Sequence, residues 1–134
     1  MMNPKRVLYI GGTGTISAAS VRRSLALGHE VTVLNRGSAR RPLPEDVREL
    51  VADVRDAAAV RRAIGDAEFD VVAEFLAFTT EHVQADLDQF AGRCGQYVFI
   101  SSASAYQKPP QRLPITESTP LRNPFWQYSR DKIA

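Results

Sequence analysis

Short apolar runs alternate with amphipathic stretches along this chain, and most changeovers carry a glycine or a capping residue. Arg6-Val-Leu-Tyr-Ile10 is apolar at consecutive positions and is closed by Gly11-Gly12, which predicts a strand buried on both faces. From Ile16 to Leu27 the apolar residues Ile16, Val21 and Leu25 recur at roughly helical spacing, and Gly28 supplies the stop. Glu30-Val-Thr-Val-Leu34 predicts a second strand, rich in β-branched residues, followed by a polar loop from Arg36 to Glu45. A third strand is expected over Glu49 to Ala52. Asp56 can then cap a helix over Ala57 to Ile64, which Gly65 ends. Phe69 to Leu76 is a fourth apolar run, and Val83, Leu87 and Phe90 mark one face of a helix that starts at the Thr79-Thr80 cap. Tyr97-Val-Phe-Ile100 is the fifth strand. Gln107 to Pro124 holds five of the eight prolines and predicts an extended loop. A last helix opens at Gln127 with no glycine, proline or charged turn after Ile133 to stop it, so the chain is expected to be a piece of a longer one.

Strands alternating with helices require right-handed parallel crossovers, hence an α/β doubly wound parallel sheet in three layers, α/β/α. The 134 residues, 44% hydrophobic and 24% charged, suit a single domain of ordinary composition. A net charge of +2, with basic and acidic residues interspersed, gives little reason to expect nucleic acid as a partner. The single cysteine, Cys94, cannot form an internal disulfide, and nothing around it forms a zinc ligand set, so no metal is expected and a reducing cytoplasm is the natural setting. The apolar run Val7 to Ile10 is too short for a signal peptide, and no segment is long enough to cross a membrane.

The first strand-to-helix junction reads Gly11-Gly-Thr-Gly-Thr-Ile-Ser17. Unpaired backbone N–H groups and the positive end of the helix can receive a pyrophosphate there, with Gly11, Gly12, Thr13, Gly14, Thr15 and Ile16 as the candidate cofactor-binding residues. Glycine permits positive φ and close approach of the phosphate. Ser17 stands where a third glycine would lie, so helix and strand are expected to pack less closely. About 20 residues on, the second strand ends at Asn35 and Arg36, where an acid would read the ribose of NAD. The acid is missing. A guanidinium here can pair with a 2′-phosphate, with Arg40 and Arg41 near enough to assist, and this leans toward NADP; all three arginines can equally be solvated loop charges, so NAD and NADP stay open. Asp53 at the third strand end, followed by Val54, can accept from an adenine amino group or serve only as a turn residue.

Tyr128 and Lys132 lie four apart, on one face of the final helix. A tyrosine is a poor base at neutral pH, and a neighbouring ammonium favours its phenolate. Tyr128 can then exchange a proton with a substrate hydroxyl or carbonyl while Lys132 also holds the nicotinamide ribose. Ser101-Ser-Ala-Ser-Ala-Tyr106 follows the fifth strand, where ligands of open α/β sheets bind. Ser102 is the candidate to bond the reacting oxygen, and Ser104 a helper at the substrate.

These pieces, with Leu34-Asn-Arg-Gly37, Asp53-Val-Arg-Asp56, Phe99-Ile-Ser-Ser-Ala-Ser-Ala-Tyr106 and Tyr128-Ser-Arg-Asp-Lys132, resemble the extended or atypical short-chain dehydrogenases/reductases, specifically the NAD-dependent epimerase/dehydratase-like proteins. The resemblance implies a Rossmann-like NAD(P)-binding domain over residues 1–134, a nucleotide-sugar or related hydroxyl or carbonyl substrate, and homodimers formed through the fourth and fifth helices. It also implies that further strands and a substrate lobe follow in such proteins. The rival reading is a non-catalytic NAD(P)-binding regulator or RNA-associated protein on the same fold, against which the intact Tyr-Lys pair and the lack of a basic stripe argue. His82 and His29 are expected to be solvated and Cys94 to be a small buried hydrophobe, while Phe125 and Trp126 can line the substrate pocket, although aromatic residues there more often pack the loop onto the sheet. Glu74, a carboxylate within an apolar run, is either at the strand end near the cofactor or paired.

Overall fold

The computed structural model describes residues 3–38 and 41–134. Its centre is β1 (Arg6–Ile10), whose side chains alternate between two cores. Leu8 and Ile10 join Leu34, Val72, Val60, Ile64 and Phe90 on one face, while Val7 and Tyr9 join Val21, Val31, Val33 and Ala73 on the other. β1 pairs in parallel with β2 (Glu30–Asn35) on one side and β4 (Phe69–Glu74) on the other. β3 (Arg48–Val51) and β5 (Cys94–Phe99) extend the two flanks, giving the all-parallel order β3-β2-β1-β4-β5. The direction of winding reverses at β1, so the carboxyl ends of β1, β2 and β4 open onto one crevice.

α1 (Thr15–Ala26) covers one face through Val21; α2 (Ala57–Ile64) and α3 (Thr80–Phe90) cover the other through Val60, Ile64 and Phe90. Asp56 caps α2 by accepting the Ala59 N–H at 3.0 Å, and Thr79 caps α3 by accepting the His82 N–H. Burying a side chain the size of Phe90 contributes about 2 kcal/mol, enough to hold α3 on the sheet. A 3₁₀ turn (Ala103–Ala105) follows β5, and α4 (Gln127–Ile133) returns after the proline-rich loop, whose two sides pair where Tyr106 bridges Leu121.

Several expectations need correction. β5 begins at Cys94, earlier than its apolar stretch, because Cys94 and Gln96 pair with Phe69 and Val71 of β4 through the backbone, which asks nothing of their side chains. β4 ends at Glu74 and β3 starts at Arg48. Ile16 is 69% exposed: it sits in the first turn of α1, beyond the end of the sheet, and lines the crevice instead of the core. On α3 the fully buried positions are Asp86 and Phe90, while Leu87 is exposed.

Candidate functional site

The crevice at the carboxyl ends of β1, β2 and β4 has a volume of about 810 Å³ and is lined by Gly11, Thr13, Gly14, Asn35, Asp53 and Phe78, among others. Its floor is a cradle that side chains would fill. Gly11 has φ +81°, and a Cβ there would lie 2.7 Å from Leu76 Cγ. Gly12 is buried against β2, where a Cβ would come within 2.6 Å of Val33 Cγ2. Gly12 therefore shapes the turn from behind. Ser17 does not loosen the turn as anticipated. It is 3% exposed, and its Oγ accepts the Gly14 N–H at 2.9 Å, taking up an amide that would otherwise face a ligand. The Gly11 N–H donates to Leu34 O at 3.0 Å. The first-turn amides of Thr15 and Ile16 are left for an anion, since a helix supplies no acceptor to its first N–H groups.

At the β2 end Asn35 is buried, its Oδ1 accepting the Gly37 N–H at 2.7 Å, and among the described residues its Nδ2 has no hydrogen-bond partner. Arg36 is exposed beside it on the crevice wall. Arg41 reaches the phosphate end instead, where its Nη2 donates to Thr15 Oγ1 at 3.3 Å; Arg40 lies outside the described residues. Asp53 lines the crevice and accepts the Arg55 N–H at 2.9 Å, so it serves the turn and still faces the groove; Val54 is buried beside it. His82, expected to be solvated, is half-buried on the crevice wall, with Nδ1 accepting the Phe78 N–H at 3.1 Å. Burial, helped by the Arg55 charge, lowers its pKa.

Beyond β5 the structure brings Ser102, Tyr128 and Lys132 to the same end of the sheet. Lys132 Nζ is buried and donates to Ala77 O at 2.6 Å and Ile100 O at 2.8 Å, backbone that continues β4 and β5. It also lies 4.4 Å from the Phe99 ring centroid and 5.7 Å from that of Tyr128. Burial lowers the pKa of this ammonium, with Glu74 opposing. Two of its three hydrogens are committed, so one is left for a ligand. The Phe78 ring joins this corner to the crevice: it lines the groove, stands 6.2 Å from the Tyr128 centroid and lies 5.1 Å from Lys132 Nζ. Trp126 packs on Tyr128 at 4.8 Å yet stays 55% exposed, so it does not pack the loop onto the sheet. Ser102 caps the 3₁₀ turn by accepting the Ser104 N–H and pairs with Ser104 Oγ at 2.8 Å.

The profile of the NAD dependent epimerase/dehydratase family matches residues 7–134. The chain belongs to that family. A UDP-glucose 4-epimerase of Lactobacillus helveticus is 29% identical over 96% of this chain, which spans 44% of that protein's length. An epimerase from Methanothermobacter thermautotrophicus superposes with a TM-score of 0.81 at 17% identity, covering 98% of this chain and 45% of the other. A short-chain dehydrogenase/reductase superfamily protein from Agrobacterium tumefaciens, solved with bound NAD, superposes with a TM-score of 0.73 at 26% identity, covering 96% of this chain and 42% of the other. The Rossmann-like sheet and the NAD-dependent family expected from the sequence are both found. The residues present fit that cofactor: a turn closed to side chains at Gly11 and Gly12, the first-turn amides of α1 and, among the described residues, the unpartnered Asn35 Nδ2 all favour a ligand rich in acceptor oxygens.

For this family member the sequence left Glu74 undecided between two roles, and the structure pairs it. It ends β4 and is fully buried, with Oε1 accepting the Leu76 N–H. Among the described residues Glu74 Oε2 and Asp86 Oδ1 are both buried with no hydrogen-bond partner, a pair that one shared proton would satisfy. Burial, and then the neighbouring Asp86, push Glu74 up to about 9, so it is the protonated member. Tyr97 completes the group by donating to Asp86 Oδ2 at 2.8 Å. Sequence reasoning missed Asp86, which sits among polar residues on α3, and also Asn123 and Ser129, which reach Ser104 from the far end of the loop and from α4. The only signal for the last two was an amide and a hydroxyl close to Tyr128 in sequence.

Proposed function

We propose that this chain supplies the cofactor domain and the proton-transfer groups of an NAD(P)-dependent epimerase or dehydratase acting on a nucleotide sugar. The observation that carries the reading is Phe78, one ring that walls the cofactor crevice and also contacts both Tyr128 and Lys132. Similarity to UDP-glucose 4-epimerases supports the substrate class. When bound, the nicotinamide supplies a reversible hydride acceptor.

The chain's own residues do the rest. Thr15 and Ile16 hold the pyrophosphate on the α1 amides, and Arg36, exposed on the crevice wall, offers donors to a ribose 2′-phosphate, which favours NADP. The free hydrogen on Lys132 holds the nicotinamide ribose, and the two carbonyls behind it fix the ammonium in place. Tyr128 exchanges a proton with the reacting oxygen, and Ser102 donates to that oxygen as charge develops on it.

The test is Tyr128→Phe in the full-length protein. Turnover of UDP-glucose or UDP-galactose should fall at least about 100-fold with NADH affinity unchanged. Retained turnover would overturn the assignment of Tyr128.

A further inference from the structure

A chain of hydroxyls runs beneath Ser102, and its far end is an amide with a fixed polarity. Asn123 is buried, and its Oδ1 accepts the Phe125 N–H at 3.1 Å, which leaves Nδ2 to face inward. That nitrogen can only donate. It donates to Ser104 O at 2.8 Å and, more weakly, to Ser129 Oγ at 3.4 Å. Ser129 is fully buried on α4, directly after Tyr128, and its Oγ donates to Ser104 Oγ at 2.9 Å. Ser104 Oγ, having accepted there, has its own hydrogen for Ser102 Oγ at 2.8 Å. Ser102 Oγ also accepts the Ser104 N–H at 3.2 Å. Both lone pairs of the Ser102 hydroxyl are thereby occupied from behind, and its hydrogen is the one member of the chain left to point outward.

We propose that Asn123 and Ser129 are positioning residues that lock the Ser102 hydroxyl as a donor toward the reacting oxygen, by imposing one direction of donation on the relay Asn123–Ser129–Ser104–Ser102. This rests on the reading of Ser102 and Tyr128 given above. Without the amide the hydroxyl chain has two equivalent proton orders, and in the reverse one Ser102 donates to Ser104 and offers the substrate oxygen a lone pair. Aligned hydrogen bonds also polarise one another, so the outward O–H is a stronger donor than an isolated serine. The same network ties α4, which carries Tyr128, to the 3₁₀ turn, which carries Ser102 and Ser104.

The experiment uses the full-length protein, with kcat and KM for a UDP-hexose and NADH affinity measured for each variant. Ser129→Ala should lower kcat about tenfold, the effect of losing one hydrogen bond behind the Ser102 hydroxyl, with KM and NADH affinity unchanged. Asn123→Asp, nearly identical in size, places a carboxylate where the donor stood, reverses the relay and should lower kcat at least as far. In a Ser102→Ala background both changes should have no further effect on kcat, a non-additivity that a merely structural role would not produce. Wild-type kcat in Asn123→Asp, or full additivity with Ser102→Ala, would overturn the proposal. If Tyr128→Phe retains turnover, the underlying reading fails; if it does not while Asn123→Asp is unimpaired, only the relay fails.

Discussion

Glutamine in place of Glu74 keeps the size of the side chain, the acceptor for the Leu76 N–H and a donor toward Asp86, and removes only the ability to ionise. In the native protein Glu74 is pushed up to about 9, chiefly by burial, whereas an unfolded chain releases that proton in the ordinary carboxylate range of about 4.3. Between those limits the native state binds one more proton than the unfolded state. Stability is therefore fully present at acid pH and is lost as pH rises, at about 1.4 kcal/mol per pH unit for one proton. His82 acts in the opposite sense, because its lowered pKa makes stability fall as pH drops through about 6.5 and below. Cys94 and Tyr97, both raised by burial, matter only above about 8.5 and about 10 respectively. Lys132, lowered by burial, adds stability as pH rises and so opposes Glu74 on the alkaline side. The Glu74 contribution is therefore read as the difference between the unmodified protein and Glu74→Gln, which share Lys132: from about pH 7 to about pH 8.5 the unmodified protein should lose about 2 kcal/mol relative to the variant. Urea unfolding followed by far-ultraviolet circular dichroism at several pH values reads this directly. Parallel pH profiles for the two proteins would refute the shared-proton reading of Glu74 and Asp86.

Gly12→Ala should cost about 1–3 kcal/mol and weaken NADH binding, because its Cβ meets Val33 Cγ2 at 2.6 Å and Cγ1 at 2.8 Å in a packed core; urea unfolding checks it, and Val33→Ala in the same chain should restore part of the loss. Arg36→Asp should reverse cofactor preference: the unmodified protein should bind NADPH at least about tenfold more tightly than NADH in fluorescence titrations, and the variant should favour NADH. Equal affinities in the unmodified protein would mean that Arg36 reads no phosphate.

The parts of this fold that were legible in the sequence are those fixed by local chemistry. The runs at Arg6–Ile10 and Glu30–Asn35 could only be buried strands, and Asp56 and Thr79 announced helix starts by side-chain acceptors that the first turns use. The turn at Gly11 could be read because positive φ and close packing leave no room for another residue there. What could not be read depends on pairing across the fold. Asp86 lies among polar residues on α3, and only the arrival of Glu74 and Tyr97 from two neighbouring strands turns it into a buried carboxylate. Ser17 broke the expected glycine pattern, and nothing in its neighbours showed that its hydroxyl would take the Gly14 amide. His82 looked solvated because its helix is polar around it; the crevice that half-buries it is formed by Phe78 and the carboxyl ends of other strands. The relay through Asn123 and Ser129 joins a loop, a 3₁₀ turn and a helix whose sequence order gives no hint of hydrogen-bond direction.

Trp126, the single tryptophan, stands 4.8 Å from Tyr128, which makes it a built-in reporter on the corner where the nicotinamide is expected. Titrating the protein with NADH and NADPH while exciting the indole tests whether the crevice delivers its cofactor to Tyr128 and Lys132. Saturable quenching of Trp126 with matching sensitised emission from the reduced nicotinamide is the predicted result. Unchanged Trp126 emission through high concentrations of both nucleotides, in protein shown to be folded by circular dichroism, would contradict it.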